Sequence, residues 1–200
     1  MKGLILAGGK SQRMGVDKSH LSYYGGPQTL FMAGTIHPFV EKVFVSCQEY
    51  QKESWKTISV LVDHLQNIGP IAALDSAFRE DPNSAWLIVA CDMPLVDQTV
   101  IETLVKHRNP NKNATAFWHN EDDIPEPMLS IWEPSMYPII QEAIQNKKHS
   151  LMKMLKKADV EKVYPTTEKA LLNINTKEAF QTFLKSADYH ANRKKNKFNK

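Results

Sequence analysis

Cysteine is scarce in this chain. Only Cys47 and Cys91 occur, each closing an apolar stretch where a small buried thiol is the ordinary outcome. A disulfide framework or a thiolate zinc site has no basis in that count. Histidine does not fill the gap, because His20, His37, His64, His107, His119, His149 and His190 are scattered with no pair at zinc-ligand spacing. Long hydrophobic runs are missing too. The stretch from Ala85 to Cys91 is among the longest, far short of the roughly 20 residues that cross a bilayer. The N-terminus has no long apolar region with a small-residue cleavage site, so a cytoplasmic protein without a membrane partner is expected. Neither a Walker A sequence nor a G-x-G-x-x-G fingerprint is present, which removes the usual support for an ATPase or a dehydrogenase. Acidic residues are absent from Tyr189 onward, where Arg193, Lys194, Lys195, Lys197 and Lys200 crowd together. Without those five cations the formal charge of +3 becomes −2, so the body of the protein is no basic platform for nucleic acid.

The 200 residues, 42% hydrophobic and 24% charged, suffice for one substantial core. We expect a single domain over residues 1–188, followed by a flexible basic tail over 189–200. Apolar, β-branched runs at Gly3 to Ala7, Lys42 to Cys47, Ile58 to Val62, Ala85 to Cys91 and Ala114 to Trp118 read as strands. Helical spacing of apolar residues falls between them, at Thr29 to Phe39, Gly69 to Phe78 and Gln98 to His107, with Pro70 and Asp97 suited to helix starts. The acidic, proline-containing segment Asn120 to Pro127 reads as a loop and Met128 to Trp132 as a strand. Helices over Ser135 to Gln145, Ser150 to Lys156 and Lys177 to Lys185 complete the chain. This alternation predicts an α/β protein, a three-layer α/β/α, Rossmann-like, doubly wound and mainly parallel sheet. Ligands of such sheets gather outside the carboxyl ends of the strands, so the loops carrying Gly8 to Lys18, Asp63 and Asp92 should share one crevice.

The sequence L-A-G-G-K-S-Q-R-M-G-V-D-K, Leu6 to Lys18, directly follows the first strand. Gly8 and Gly9 let backbone N–H groups approach a triphosphate without Cβ obstruction. Arg13 offers forked contacts to phosphate oxygens, and Lys18 a compact ammonium for the charge developing at phosphorus. Asp92, at the end of an unbroken apolar strand, suits Mg²⁺, which takes one or two carboxylates beside substrate phosphates. Asn173 and Asn175 alternate by two, so on an extended segment both amides face one side. The run Glu121, Asp122, Asp123 reads as a solvated loop, and Trp118 and Trp132 as buried or edge-strand aromatics rather than pterin contacts.

Together these motifs resemble the molybdenum cofactor guanylyltransferases, within the wider group of glycine-loop nucleotidyltransferases. The glycine loop, I-G-P-I-A-A-L (Ile68 to Leu74), V-A-C-D-M-P (Val89 to Pro94) and N-I-N-T (Asn173 to Thr176) stand in the family's order. The resemblance implies transfer of GMP from GTP to molybdopterin with release of pyrophosphate and without a covalent enzyme intermediate. Arg13, Lys18 and Asp92 then carry catalysis, and Asp92 holds Mg²⁺. Nucleotide binding falls to Leu6, Ala7, Gly8, Gly9, Ser11, Lys18, Gln48, Asp63 and Asp92, and acceptor binding to Asn173 and Asn175. Cofactor-delivery or molybdoenzyme-maturation proteins are the implied partners. Three departures are visible: Gln48 replaces the family's asparagine, Pro125 to Pro134 differs, and Lys177 stands in place of a proline. A cytidylyltransferase, a sugar-phosphate nucleotidyltransferase and a non-catalytic nucleotide-binding subunit stay open as alternatives.

Overall fold

A computed structural model describes residues 1–7, 24 and 26–191. Seven strands form one sheet: β1 (Lys2–Leu6), β2 (Val43–Cys47), β3 (Ser59–Val62), β4 (Trp86–Ala90), β5 (Ala114–His119), β6 (Ile124–Trp132) and β7 (Val160–Val163). Their order is β3-β2-β1-β4-β6-β5-β7. β6 runs antiparallel to its neighbours β4 and β5, and every other pairing is parallel. Six α-helices bear on the layers: α1 (Gln28–Ile36), α2 (Ile71–Glu80), α3 (Gln98–Lys106), α4 (Tyr137–Gln145), α5 (Leu151–Leu155) and α6 (Lys177–Leu184), with a further helical stretch at 187–191.

Because side chains of a strand alternate between faces, Leu4 and Ile5 of β1 enter different cores. Ile5, Val45, Leu87 and Val89 pack with Met32 and Ile36 of α1 and Ile101 and Leu104 of α3. Leu4, Phe44, Trp86 and Ile88 pack on the other face with Leu74 and Phe78 of α2, Ile140 of α4 and Leu155 of α5. Helices on both faces of strands buried on both sides give the expected three layers. α1 packs closely over Gly3, where a Cβ would lie 2.6 Å from Ile36 Cδ1 and would push that terminal methyl aside.

Local signals explain the element ends. The Asp97 carboxylate accepts from Val100 N–H, and the hydroxyls of Ser150 and Thr176 cap α5 and α6 in the same way. Gly69 holds φ +78°, a conformation a side chain would strain, and Pro70 then starts α2. The helix predicted over Thr29 to Phe39 ends at Ile36 and tightens into a 3₁₀ turn at His37–Phe39, where Pro38 supplies no N–H.

One expectation is overturned. Residues 124–127, predicted as loop, belong to β6, which forms a hairpin with β5 across the exposed Glu121–Asp123 turn. The prolines are tolerated because β4 pairs with β6 only over Leu129–Trp132, leaving Pro125 and Pro127 on a stretch with one neighbour. The edge strand β7 and 3₁₀ turns at Glu49–Ser54 and Glu168–Leu171 were not anticipated from sequence. Both cysteines and both tryptophans read as buried, Trp118 and Trp132, are buried. Tyr189, where the basic tail was expected to begin, stacks on Tyr24 with ring centroids 6.0 Å apart and meets the edge of Phe183. Residues beyond Ala191 lie outside the described part. No helix among the described residues is long and apolar enough to cross a membrane.

Candidate active site

The carboxyl ends of β3, β2, β1 and β4 are stitched together by backbone hydrogen bonds that continue the ladder past the strands. Asp63 N–H donates to Cys47 C=O at 3.0 Å, Ala7 N–H to Ser46 C=O at 3.1 Å and Cys91 N–H to Leu6 C=O at 3.4 Å. On the far side of β4, Ile174 N–H donates to Asp92 C=O at 2.9 Å, which docks the segment after the Glu168–Leu171 turn beside the strand end. A cleft of about 850 Å³ opens over this row. Within it, Asp63, Ala7, Asp92 and then Asn173–Asn175 follow one another in the order of the sheet. At roughly 4.8 Å between strands, β3 to β4 spans about 14 Å, enough for an extended nucleotide laid across the strand ends.

Asp63 anchors one end. It is buried, and its Oδ1 accepts from Ser46 Oγ at 2.7 Å while Oδ2 accepts from Gln48 Nε2 at 3.3 Å. Burial pushes its carboxyl up to about 6, against the opposing hydrogen bonds from Ser46 and Gln48. The loop that leaves Asp63 turns through Asn67 at φ 62° and Gly69, both on the cleft wall.

Asp92 occupies the middle, following the fully buried strand β4 and itself 9% exposed. Among the described residues no group of three His, Cys, Asp or Glu side chains is arranged to hold a metal. A carboxylate at a cleft wall is nonetheless a fitting donor for Mg²⁺, a hard cation that completes its shell with water and substrate phosphate.

At the other end, Asn173 and Asn175 line the cleft while Ile174 between them is buried and packs with Phe183, so the alternation by two holds. Asn173 Oδ1 is shielded from solvent and has no hydrogen-bond partner among the described residues, an acceptor ready for a ligand's donor.

Leu6, Ala7, Gln48, Asp63, Asp92, Asn173 and Asn175 are thus brought around one cleft. Gly8, Gly9, Ser11, Arg13 and Lys18 lie outside the described residues. Several cleft residues escaped the sequence reading. Ser46 does so because an inward serine in an apolar strand carries no pattern of its own, and Met128 because it follows a segment taken as loop. Tyr50, 73% exposed, stands at the lip on the unanticipated turn after β2.

Comparison with known proteins agrees with this architecture. A bifunctional molybdenum cofactor biosynthesis protein of Synechocystis is 29% identical over 180 residues, covering 89% of this chain. The match covers only 52% of the Synechocystis protein, so the chain spans about half the length of that relative. A molybdenum cofactor guanylyltransferase of Pseudomonas putida strain GB-1 is 28% identical over 183 residues, 89% of this chain and 94% of that protein. The crystal structure of molybdopterin-guanine dinucleotide biosynthesis protein A from Archaeoglobus fulgidus superimposes with a TM-score of 0.75 at 22% identity, covering 91% of this chain and 96% of that one. Residues 3–163 match the family model described as the MobA-like NTP transferase domain. That match takes in most of the chain, Asp63 and Asp92 included, and the protein therefore belongs to the family of MobA-like nucleotidyltransferases.

Proposed function

We propose that the protein transfers GMP from GTP to molybdopterin, releasing pyrophosphate. The observation that carries this reading is the order of groups along the cleft: a buried, hydrogen-bonded carboxylate at Asp63, an open strand end at Ala7, a carboxylate at Asp92 and a pair of asparagines beyond it. The curated names of relatives such as the Pseudomonas putida guanylyltransferase support the choice of nucleotide and acceptor.

In this reading the base and ribose lie toward Asp63 and Gln48, whose amide is already committed through Nε2 to Asp63. The triphosphate crosses Ala7 toward Asp92, with the backbone of Gly8 and Gly9 and the side chains of Arg13 and Lys18 neutralising its charge. Asn173 and Asn175 hold the pterin end of the acceptor through amide hydrogen bonds. An anionic terminal phosphate oxygen of the acceptor attacks the α-phosphorus of GTP. The new P–O bond forms as the bond from that phosphorus to the bridging oxygen breaks, and pyrophosphate leaves with the electron pair. The nucleophile is already an anion, so no side chain must first remove a proton, and alignment with charge neutralisation supplies the rate. Mg²⁺ bound at Asp92 would contribute Lewis-acid neutralisation of phosphate charge.

Pyrophosphate release measured with each of GTP, CTP, ATP and UTP, against molybdopterin and a panel of sugar phosphates, tests the assignment. GTP with molybdopterin should give the highest kcat/KM. A preference for CTP, or for a sugar phosphate, overturns it.

A further inference from the structure

The Asn173–Asn175 arm is irregular backbone following a single 3₁₀ turn, a geometry whose own hydrogen bonds hold it poorly. Its placement depends on what ties it down. One tie is the Ile174 N–H bond to Asp92. Ile174 also packs with Phe183. A further tie is at Glu168, which opens the turn. Its carboxylate collects three donors from the end of β5: His119 Nδ1, Asn120 N–H and Asn120 Nδ2, each at 2.8 Å. These bonds link residues 49 and 48 positions apart in sequence. The second ring nitrogen of His119 stands 3.8 Å from Glu126 Oε2, and the other oxygen of Glu126 accepts from Met128 N–H at 2.8 Å. Met128 lines the cleft. Hydrogen bonds thus join the end of β5 to the turn that launches the arm, and Glu126, bonded to Met128 on the cleft wall, lies beside the same imidazole.

We infer that Glu168, acting through His119 and Asn120, is a positioning residue that sets the Asn173–Asn175 arm against Asp92 and so fixes the acceptor side of the site. The inference rests on the reading that the two asparagines face the acceptor. The Asn120 donors hold the Glu168 carboxyl below its ordinary range, so it stays an anion and a pure acceptor at neutral pH. Burial raises the Glu126 carboxyl. Glu168 is half-buried, and its ties act on local geometry more than on global stability. Outer contacts of this kind typically change ligand affinity about 10-fold to 100-fold when removed.

Glu168→Ala and Glu168→Gln test this in two readouts. Hydrogen exchange of the Ile174 amide in the ligand-free protein should quicken by about tenfold in Glu168→Ala, with the melting temperature within about 3 °C of the parent. Steady-state transfer should show the molybdopterin KM raised about tenfold while the GTP KM stays within about twofold. Glu168→Gln, which keeps an oxygen for the Asn120 donors, should fall between. Unchanged exchange at Ile174 overturns the inference, as does a molybdopterin KM that stays put or a GTP KM that rises equally. If the parent protein itself transfers nothing to molybdopterin, the proposed function falls, and the exchange measurement alone decides whether Glu168 holds the arm.

Discussion

Asp63 shows how a single buried side chain at the cleft can cost the fold stability. It is buried at a cleft wall, held by Ser46 and Gln48, and its carboxyl is pushed up to about 6 chiefly by desolvation. The folded state therefore binds the proton more tightly than the unfolded chain, where an aspartic acid titrates near 3.8. The stability contributed by that proton is fully present below about pH 4 and is lost as pH rises through about 6. At neutral pH the ionised Asp63 costs on the order of 2–3 kcal/mol. Asp63→Asn removes the charge and keeps an acceptor for Ser46. Urea unfolding at pH 8 should find the variant more stable by about 2 kcal/mol, with the two proteins converging near pH 4. A variant less stable than its parent at pH 8 contradicts this account of Asp63.

At the scale of elements, β6 is the departure from the parallel plan, and the fold fixes both of its ends. Its outgoing end runs into Glu133, 3% exposed, whose two carboxylate oxygens take a fork from Arg108 at 2.7 and 2.9 Å just beyond α3. Removing one partner strands a buried charge. Arg108→Ala should therefore cost about 3 kcal/mol in equilibrium unfolding, and the further change Glu133→Ala should recover part of it. A loss below about 1 kcal/mol in the single variant rules out that role. The strands β1 to β4 were legible in sequence because each is a short, mainly apolar run that gives way to glycine or a polar residue. The start of β6 was not, since two prolines argue against a strand unless one knows that β4 stops pairing before they are reached. β7 was missed for a different reason: Val-Glu-Lys-Val is short and half charged, an edge strand with nothing local to mark it.

For the whole molecule, the site is a product of topology. Residues near positions 6, 48, 63, 92 and 174 meet because the doubly wound order brings four strand ends into one row and the chain later returns beside the last of them. The rule that ligands collect at such strand ends made Asp63 and Asp92 findable from sequence. The link of His119 and Asn120 to Glu168 was not findable, because no spacing rule connects a hairpin end with a 3₁₀ turn 49 residues later. In the proposed mechanism Asp92 contributes charge as well as shape, and Asp92→Asn separates the two. The folded variant should lose about 10²-fold or more in kcat and require more magnesium. Turnover at the parent rate in ordinary magnesium means the carboxylate serves only as a local cap. Label transfer tests the central claim most directly. The protein is incubated with Mg²⁺, molybdopterin and GTP labelled either at the α-phosphorus or at the γ-phosphorus. The account predicts that the α-label appears in the pterin product and the γ-label in pyrophosphate, in equal amounts. An α-label that remains in GTP or appears as free GMP, with the pterin unlabelled, contradicts it.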